Sequence, residues 1–178
     1  RRQHMTKTES AVQWAIRIAN DNRHGYSQAN RWGNPDYDCS SLVISAWQQA
    51  GVPVKSNGAT YTGNMYNVFR ACGFTDVTAS CNRATGAGMQ RGDVLLNVRY
   101  HTAMYIGGGQ MVQASSTRGH PEAGDQTGTE IWVCRYYNYS RGWNYVLRYT
   151  AGGNSGSSGG QEPIQPPSGV SLVQWIPG

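Results

Sequence analysis

Cys39 stands in the stretch "NPDYDCSSLVISAW", residues 34–47, between an aspartate and two serines at the polar entrance of an apolar run. A thiol kept only for packing belongs inside such a run. Either Asp36 or Asp38 precedes the helix, and Asp38 is the better placed as its N-cap, which puts Cys39 in the first turn. Backbone N–H groups and the helix dipole there favour a thiolate and lower the pKa of such cysteines to about 3.5–7.5. Asp38 opposes that shift. A thiolate can attack an acyl carbon, and it needs a base. Of the four histidines, His4 lies in the N-terminal "RRQHM", and His24 and His120 lie in polar loops. His101 opens the strand-like "HTAMYIG". In "HTAMYIGGGQMVQAS", a Gly107–Gly109 loop pairs Ile106 with Gln110 and Ala103 with Gln113. His101 and Gln113 are then diagonal neighbours on one face, about 7–8 Å apart. A two-residue loop predicts the opposite face for Gln113. On the same face, Gln113 can hold the far imidazole nitrogen and fix the ring's orientation and tautomer. Each residue alone has a plainer reading: a packing thiol, a surface histidine, a solvent-facing glutamine. It is their order and spacing that point to acyl transfer.

The elements that must position these residues divide in two. Apolar residues at helical spacing predict helices over 8–20, 39–50 and 62–72, the second stopped by Gly51 and Pro53 and the third by Gly73. The second half reads as strands: "GDVLLNV", "HTAMYIG", "QMVQAS", "EIWVCRYY" and "NYVLRY". The polar stretch 116–129 is long for a connection in a compact domain, which suggests a functional loop. Helices first and an antiparallel sheet second predict an α+β domain over residues 8–150. Residues 1–7 read as a cloning-tag remnant and a disordered lead-in. Residues 151–169 read as a Gly/Ser/Pro linker, and 170–178 as the start of a further C-terminal module.

A net charge of +5 and a pI of about 9.2 suit an anionic partner. No Lys/Arg run marks a nucleic-acid patch, so no nucleic acid is expected. No apolar segment is long enough for membrane insertion, and no signal peptide is visible. Cys39, Cys72, Cys81 and Cys134 match no zinc spacing. If Cys39 stays a thiol, the other three cannot all pair; a Cys72–Cys81 bridge is one option and free thiols the other. The aromatics are mostly Trp and Tyr, types that line sugar and peptide grooves as well as small cores.

The order "DCSSLV", "RGDVLL", "HTAMYIGGGQMVQAS" resembles the NlpC/P60 family of papain-like cell-wall cysteine peptidases, in particular its phage endolysin members. The resemblance spans roughly residues 8–150. It implies a papain-like fold with N-terminal helices packed on an antiparallel sheet. It implies Cys39 as nucleophile, His101 as base, and Gln113 where the family usually has a second histidine. It further implies that Asp38 and Tyr26 bind the free amine of a stem peptide. Ser40 matches the family's serine, while Ser41 replaces its glycine. The implied partner is bacterial peptidoglycan, with no metal or other cofactor. The protein would act on the cell wall, reached through phage-driven release or another export route. The bond expected to be cut is the γ-D-glutamyl bond to the diamino acid; the alternative is the amide between muramic acid and L-alanine. A wall-binding module without catalysis is the rival from another class, but it leaves the concerted Cys, His and Gln unexplained.

Overall fold

A computed structural model describes residues 5–116 and 130–151. Three helices come first: α1 (Lys7–Ala19), α2 (Cys39–Gln49) and α3 (Thr62–Ala71). Six strands follow: β1 (Phe74–Asp76), β2 (Val94–Asn97), β3 (His101–Gly107), β4 (Gln110–Ala114), β5 (Ile131–Arg135) and β6 (Tyr145–Tyr149). They form one sheet in the order β1-β6-β2-β3-β4-β5, with every neighbour antiparallel. This is the α+β, papain-like architecture expected. Helix α1 starts at Lys7 with Thr6 as its cap, so it takes in residues that the sequence pattern places outside the domain.

The sheet has two covered faces. Against the helices pack Val94, Leu96, Met104, Ile106, Val112 and Leu147, together with Leu42, Trp47 and Phe69. Alternation sends Leu95, Ala103, Tyr105, Met111 and Val146 to the other face, where Tyr136 and Trp143 cover them. Burying each large apolar side chain contributes about 1.5–3 kcal/mol, so the helix-side layer carries most of the fold's stability.

The "RGD" block at the mouth of β2 ties the two layers together. Arg91 reaches back to α1, with Nε and Nη2 each 2.8 Å from the Glu9 carboxylate, and donates to the Ile106 carbonyl at 2.7 Å. Gly92 has φ of 99° and sits so close to α1 that a Cβ would fall 2.4 Å from Thr8 Cγ2. Asp93 is wholly buried and accepts from Arg148 Nε at 2.8 Å and Nη2 at 2.7 Å, binding β2 to β6.

The hairpin between β3 and β4 corrects one expectation and keeps its consequence. The turn is the two-residue Gly108–Gly109, closed by Gly107 opposite Gln110. Both turn glycines have positive φ, 63° and 77°, as the tight hairpin turn requires. Such a turn would flip Gln113 to the wrong face, but a bulge at Ile106 absorbs the extra residue. Met104 faces Val112 and Tyr105 faces Met111, the register that a three-glycine loop predicts.

Candidate active site

Helix α2 begins at Cys39 because Asp38 caps it. Asp38 is extended, its Oδ1 accepts the Ser41 N–H at 2.8 Å, and its own N–H donates to Ser41 Oγ at 2.9 Å. This reciprocal capping box explains Ser41, the position where the resemblance expects glycine. Asp36 does something different. Its Oδ1 accepts the Gly25 N–H at 2.9 Å and so folds the preceding loop.

The Cys39 sulfur lies beside β3, where the Thr102 N–H approaches it, as do the N–H groups that open α2. Those donors favour the thiolate, as the helix start predicts. Burial opposes them and, with the neighbouring Asp38 carboxylate, pushes the thiol up to about 12. The expected lowered pKa is therefore overturned: desolvation outweighs the helix dipole.

His101, one residue before Thr102, is 7% exposed. Its Nε2 is 2.7 Å from Gln113 Oε1, so the juxtaposition expected from the register is present. An amide oxygen only accepts, which puts the ring proton on Nε2 and leaves Nδ1 as the basic nitrogen. Gln113 is fully buried, and its amide nitrogen donates to Tyr137 Oη at 2.9 Å and to Cys134 Sγ at 3.4 Å. Trp143 stacks on the imidazole with centroids 5.8 Å apart and planes at 22°, and Tyr139 lies 5.1 Å away. Burial holds the His101 pKa below its ordinary value, against the opposing pull of Gln113.

Tyr26 joins the same cluster. Burial and the neighbouring Cys39 and Asp38 push its hydroxyl up to about 12. Ser40 donates to Asp38 Oδ1 at 3.1 Å. All six residues singled out in the sequence thus meet around Cys39 and the start of β3. Sequence pattern alone misses Arg31, whose Nη1 is 3.2 Å from Asp38 Oδ1, and the Tyr137, Tyr139 and Trp143 wall around His101 and Gln113. The excess of Trp and Tyr is the available signal for the wall. Nothing in the spacing points to Arg31.

A cavity of about 720 Å³, lined by Cys81, Asn82, Arg83 and Asn138 among others, contains none of the six. The four cysteines are free thiols. Among the described residues no group of three or more His, Cys, Asp or Glu side chains could hold a metal ion, and no helix is long and apolar enough to cross a membrane. The 116–129 loop, from residue 117 on, and the linker and module expected beyond 151 lie outside the described residues.

Cys39 thus opens α2, and His101 opens a strand of the antiparallel sheet that α2 packs against, an α+β arrangement found in known proteins. Residues 33–112 match the family model described as an endolysin-like domain. The chain is 30% identical over 112 residues to peptidoglycan endopeptidase RipA of Mycolicibacterium smegmatis, a match covering 60% of this chain and 19% of that protein. Two solved structures share the fold, each with a TM-score of 0.50. Rv1477, described as a hypothetical invasion protein of Mycobacterium tuberculosis, is 22% identical, with 83% of this chain and 66% of that one covered. A variant of the resuscitation promoting factor interacting protein RipA is 23% identical, with 80% and 63% covered. The chain thus spans less than two thirds of each of these relatives.

Proposed function

We propose that the protein is a peptidoglycan hydrolase that cuts a stem-peptide amide with Cys39 as nucleophile, His101 as general base and Gln113 as the residue that orients it. The observation carrying this reading is the 2.7 Å His101–Gln113 bond, one residue along β3 from Thr102, whose backbone N–H approaches the Cys39 sulfur. The raised thiol pKa and lowered imidazole pKa mean that both groups are neutral at pH 7. The thiol proton passes to His101 Nδ1 as sulfur attacks the amide carbonyl carbon. The oxyanion so formed takes hydrogen bonds from backbone N–H groups at the start of α2, the kind of donor whose loss costs about 10²–10³ in rate. The C–N bond then breaks, and the leaving nitrogen takes the proton from the imidazolium. Water, deprotonated by His101, attacks the thioester carbon and releases the acid and the thiol.

The bond cut is proposed to be the γ-D-glutamyl bond to the diamino acid, in line with the endopeptidase name of the RipA relative. A second reading, cleavage between muramic acid and L-alanine, is favoured by Asp38, which acts as a helix cap and pairs with Arg31. Mass spectrometry of digested peptidoglycan separates the two, since one cut exposes the amine of the diamino acid and the other that of L-alanine. Digestion by the Cys39→Ala protein would sink the cysteine mechanism and favour another nucleophile. Wall binding with no digestion by the wild type would favour the non-catalytic module.

A further inference from the structure

Asp38 is the carboxylate that the family resemblance gives to a substrate amine, yet it is already engaged. Its Oδ1 accepts from the Ser41 N–H at 2.8 Å, from Ser40 Oγ at 3.1 Å and from Arg31 Nη1 at 3.2 Å. Arg31 is held in that position. Its Nη2 donates to the Thr60 carbonyl, Nη1 lies 3.4 Å from Ser40 Oγ, and the guanidinium sits 4.7 Å from the Trp32 ring centroid. The Lys55 ammonium approaches the same ring at 4.5 Å. The Arg31 and Asp38 side chains are only 18% and 8% exposed, so water screens their charges poorly. Two cations, Arg31 and Lys55, therefore stand on the Asp38 side of this corner, while a second carboxylate, Glu130, accepts the Tyr26 backbone N–H at 2.7 Å. An incoming ammonium must displace Arg31 or sit beside it. An acylated nitrogen brings no charge, and its carbonyl oxygen is an acceptor that a guanidinium can serve.

We propose that Arg31 determines specificity by closing Asp38 to a free ammonium, so that the site takes stem peptides whose N-terminal nitrogen is acylated, as in uncut wall polymer, and discriminates against released peptides with a free amine. This rests on the hydrolase reading above. It differs from the resemblance, under which Asp38 and Tyr26 recognise the free amine.

The test uses the full chain and two probes: the stem tetrapeptide with a free L-alanine amine, and the same peptide N-acetylated. Turnover is measured for wild type, Arg31→Met and Arg31→Lys, and binding is measured by calorimetry on the Cys39→Ala protein with and without Arg31→Met. Wild type is expected to favour the acetylated peptide by at least about tenfold in kcat/KM, the scale of one charged hydrogen bond. Arg31→Met shifts that ratio toward the free amine by a similar factor, and Arg31→Lys, which keeps the charge, shifts it less. Circular dichroism verifies folding, and a ratio of two probes cancels a uniform loss of activity. If Arg31→Met does not fold, the wild-type ratio and the binding to Cys39→Ala decide. Equal or faster cleavage of the free-amine peptide by wild type overturns the proposal, as does an unchanged ratio in folded Arg31→Met. Absence of cleavage of both peptides, with Cys39→Ala still binding the acetylated one more tightly, overturns the hydrolase reading and leaves the exclusion standing. Tighter binding of the free amine overturns the exclusion itself.

Discussion

Gln113→Ala separates orientation of the histidine from chemistry by the thiol. The side chain removed is fully buried, and its Oε1 holds His101 Nε2 at 2.7 Å. Losing one neutral hydrogen bond costs about 0.5–1.5 kcal/mol, and leaving the buried N–H without a partner raises that to about 1–3 kcal/mol. The ring does not swing free, because Trp143 stacks on it and Tyr139 packs beside it. What is lost is the choice of tautomer and the in-plane hold. At about 1.4 kcal/mol per tenfold, kcat should fall by roughly five-fold to a hundredfold, well short of the loss in Cys39→Ala, which removes the covalent route. The assay is a pH–rate profile on purified peptidoglycan for wild type, Gln113→Ala, Gln113→His and Cys39→Ala, with thermal melts to confirm folding. Gln113→His should keep activity and move the acid limb. A folded Gln113→Ala as inactive as Cys39→Ala would refute an orienting role. Full activity would show that the aromatic wall alone holds His101.

With the thiol near 12 and burial holding imidazole low, iodoacetamide should modify Cys39 ever faster as pH rises past about 9, and a plateau by about pH 7 would reveal a preformed ion pair instead. His101 binds its proton less readily folded than unfolded. Its contribution to stability is therefore complete above about pH 6.5 and lost as pH falls through the lower folded value, and His101→Gln should flatten that acid slope in urea titrations. Asp93→Ala leaves Arg148 without its partner across β2 and β6 and should cost about 3–5 kcal/mol, or roughly 10–20 °C in Tm; a loss under about 5 °C would mean that water replaces the carboxylate. Cutting the chain after Ala151 should preserve Tm, whereas cutting after Tyr149 should lower it, because the Thr150 and Ala151 N–H groups donate to the Gly73 carbonyl at 3.0 and 3.1 Å.

What the sequence could and could not reveal follows from the range of each interaction. The helix start at Cys39 was legible because capping is local: Asp38 and Ser41 act within one turn. The pairing of His101 with Gln113 was legible because a single hairpin links them. Even so, the turn that forms is shorter than the one expected, and the pairing stands only because a bulge at Ile106 cancels the slip. Strand β1 is not legible because three residues, Phe74–Asp76, are too few for a period to appear; its place is set by pairing with β6, far along the chain. The thiol pKa departs from expectation for a related reason. A helix dipole can be read from the residues around Cys39, but the desolvation that overrides it comes from the layers that close over the sulfur. Arg31 is the extreme case. Its effect on Asp38 depends on a loop fixed by Ser27, whose Oγ accepts the N–H groups of Ala29 and Asn30, and by Asp36, which pairs with Gly25. Motifs therefore disclosed the groups proposed to react, while the charge proposed to select their substrate is a property of the folded loop. Chains with the same three motifs but another residue at the Arg31 position should differ in substrate and not in chemistry.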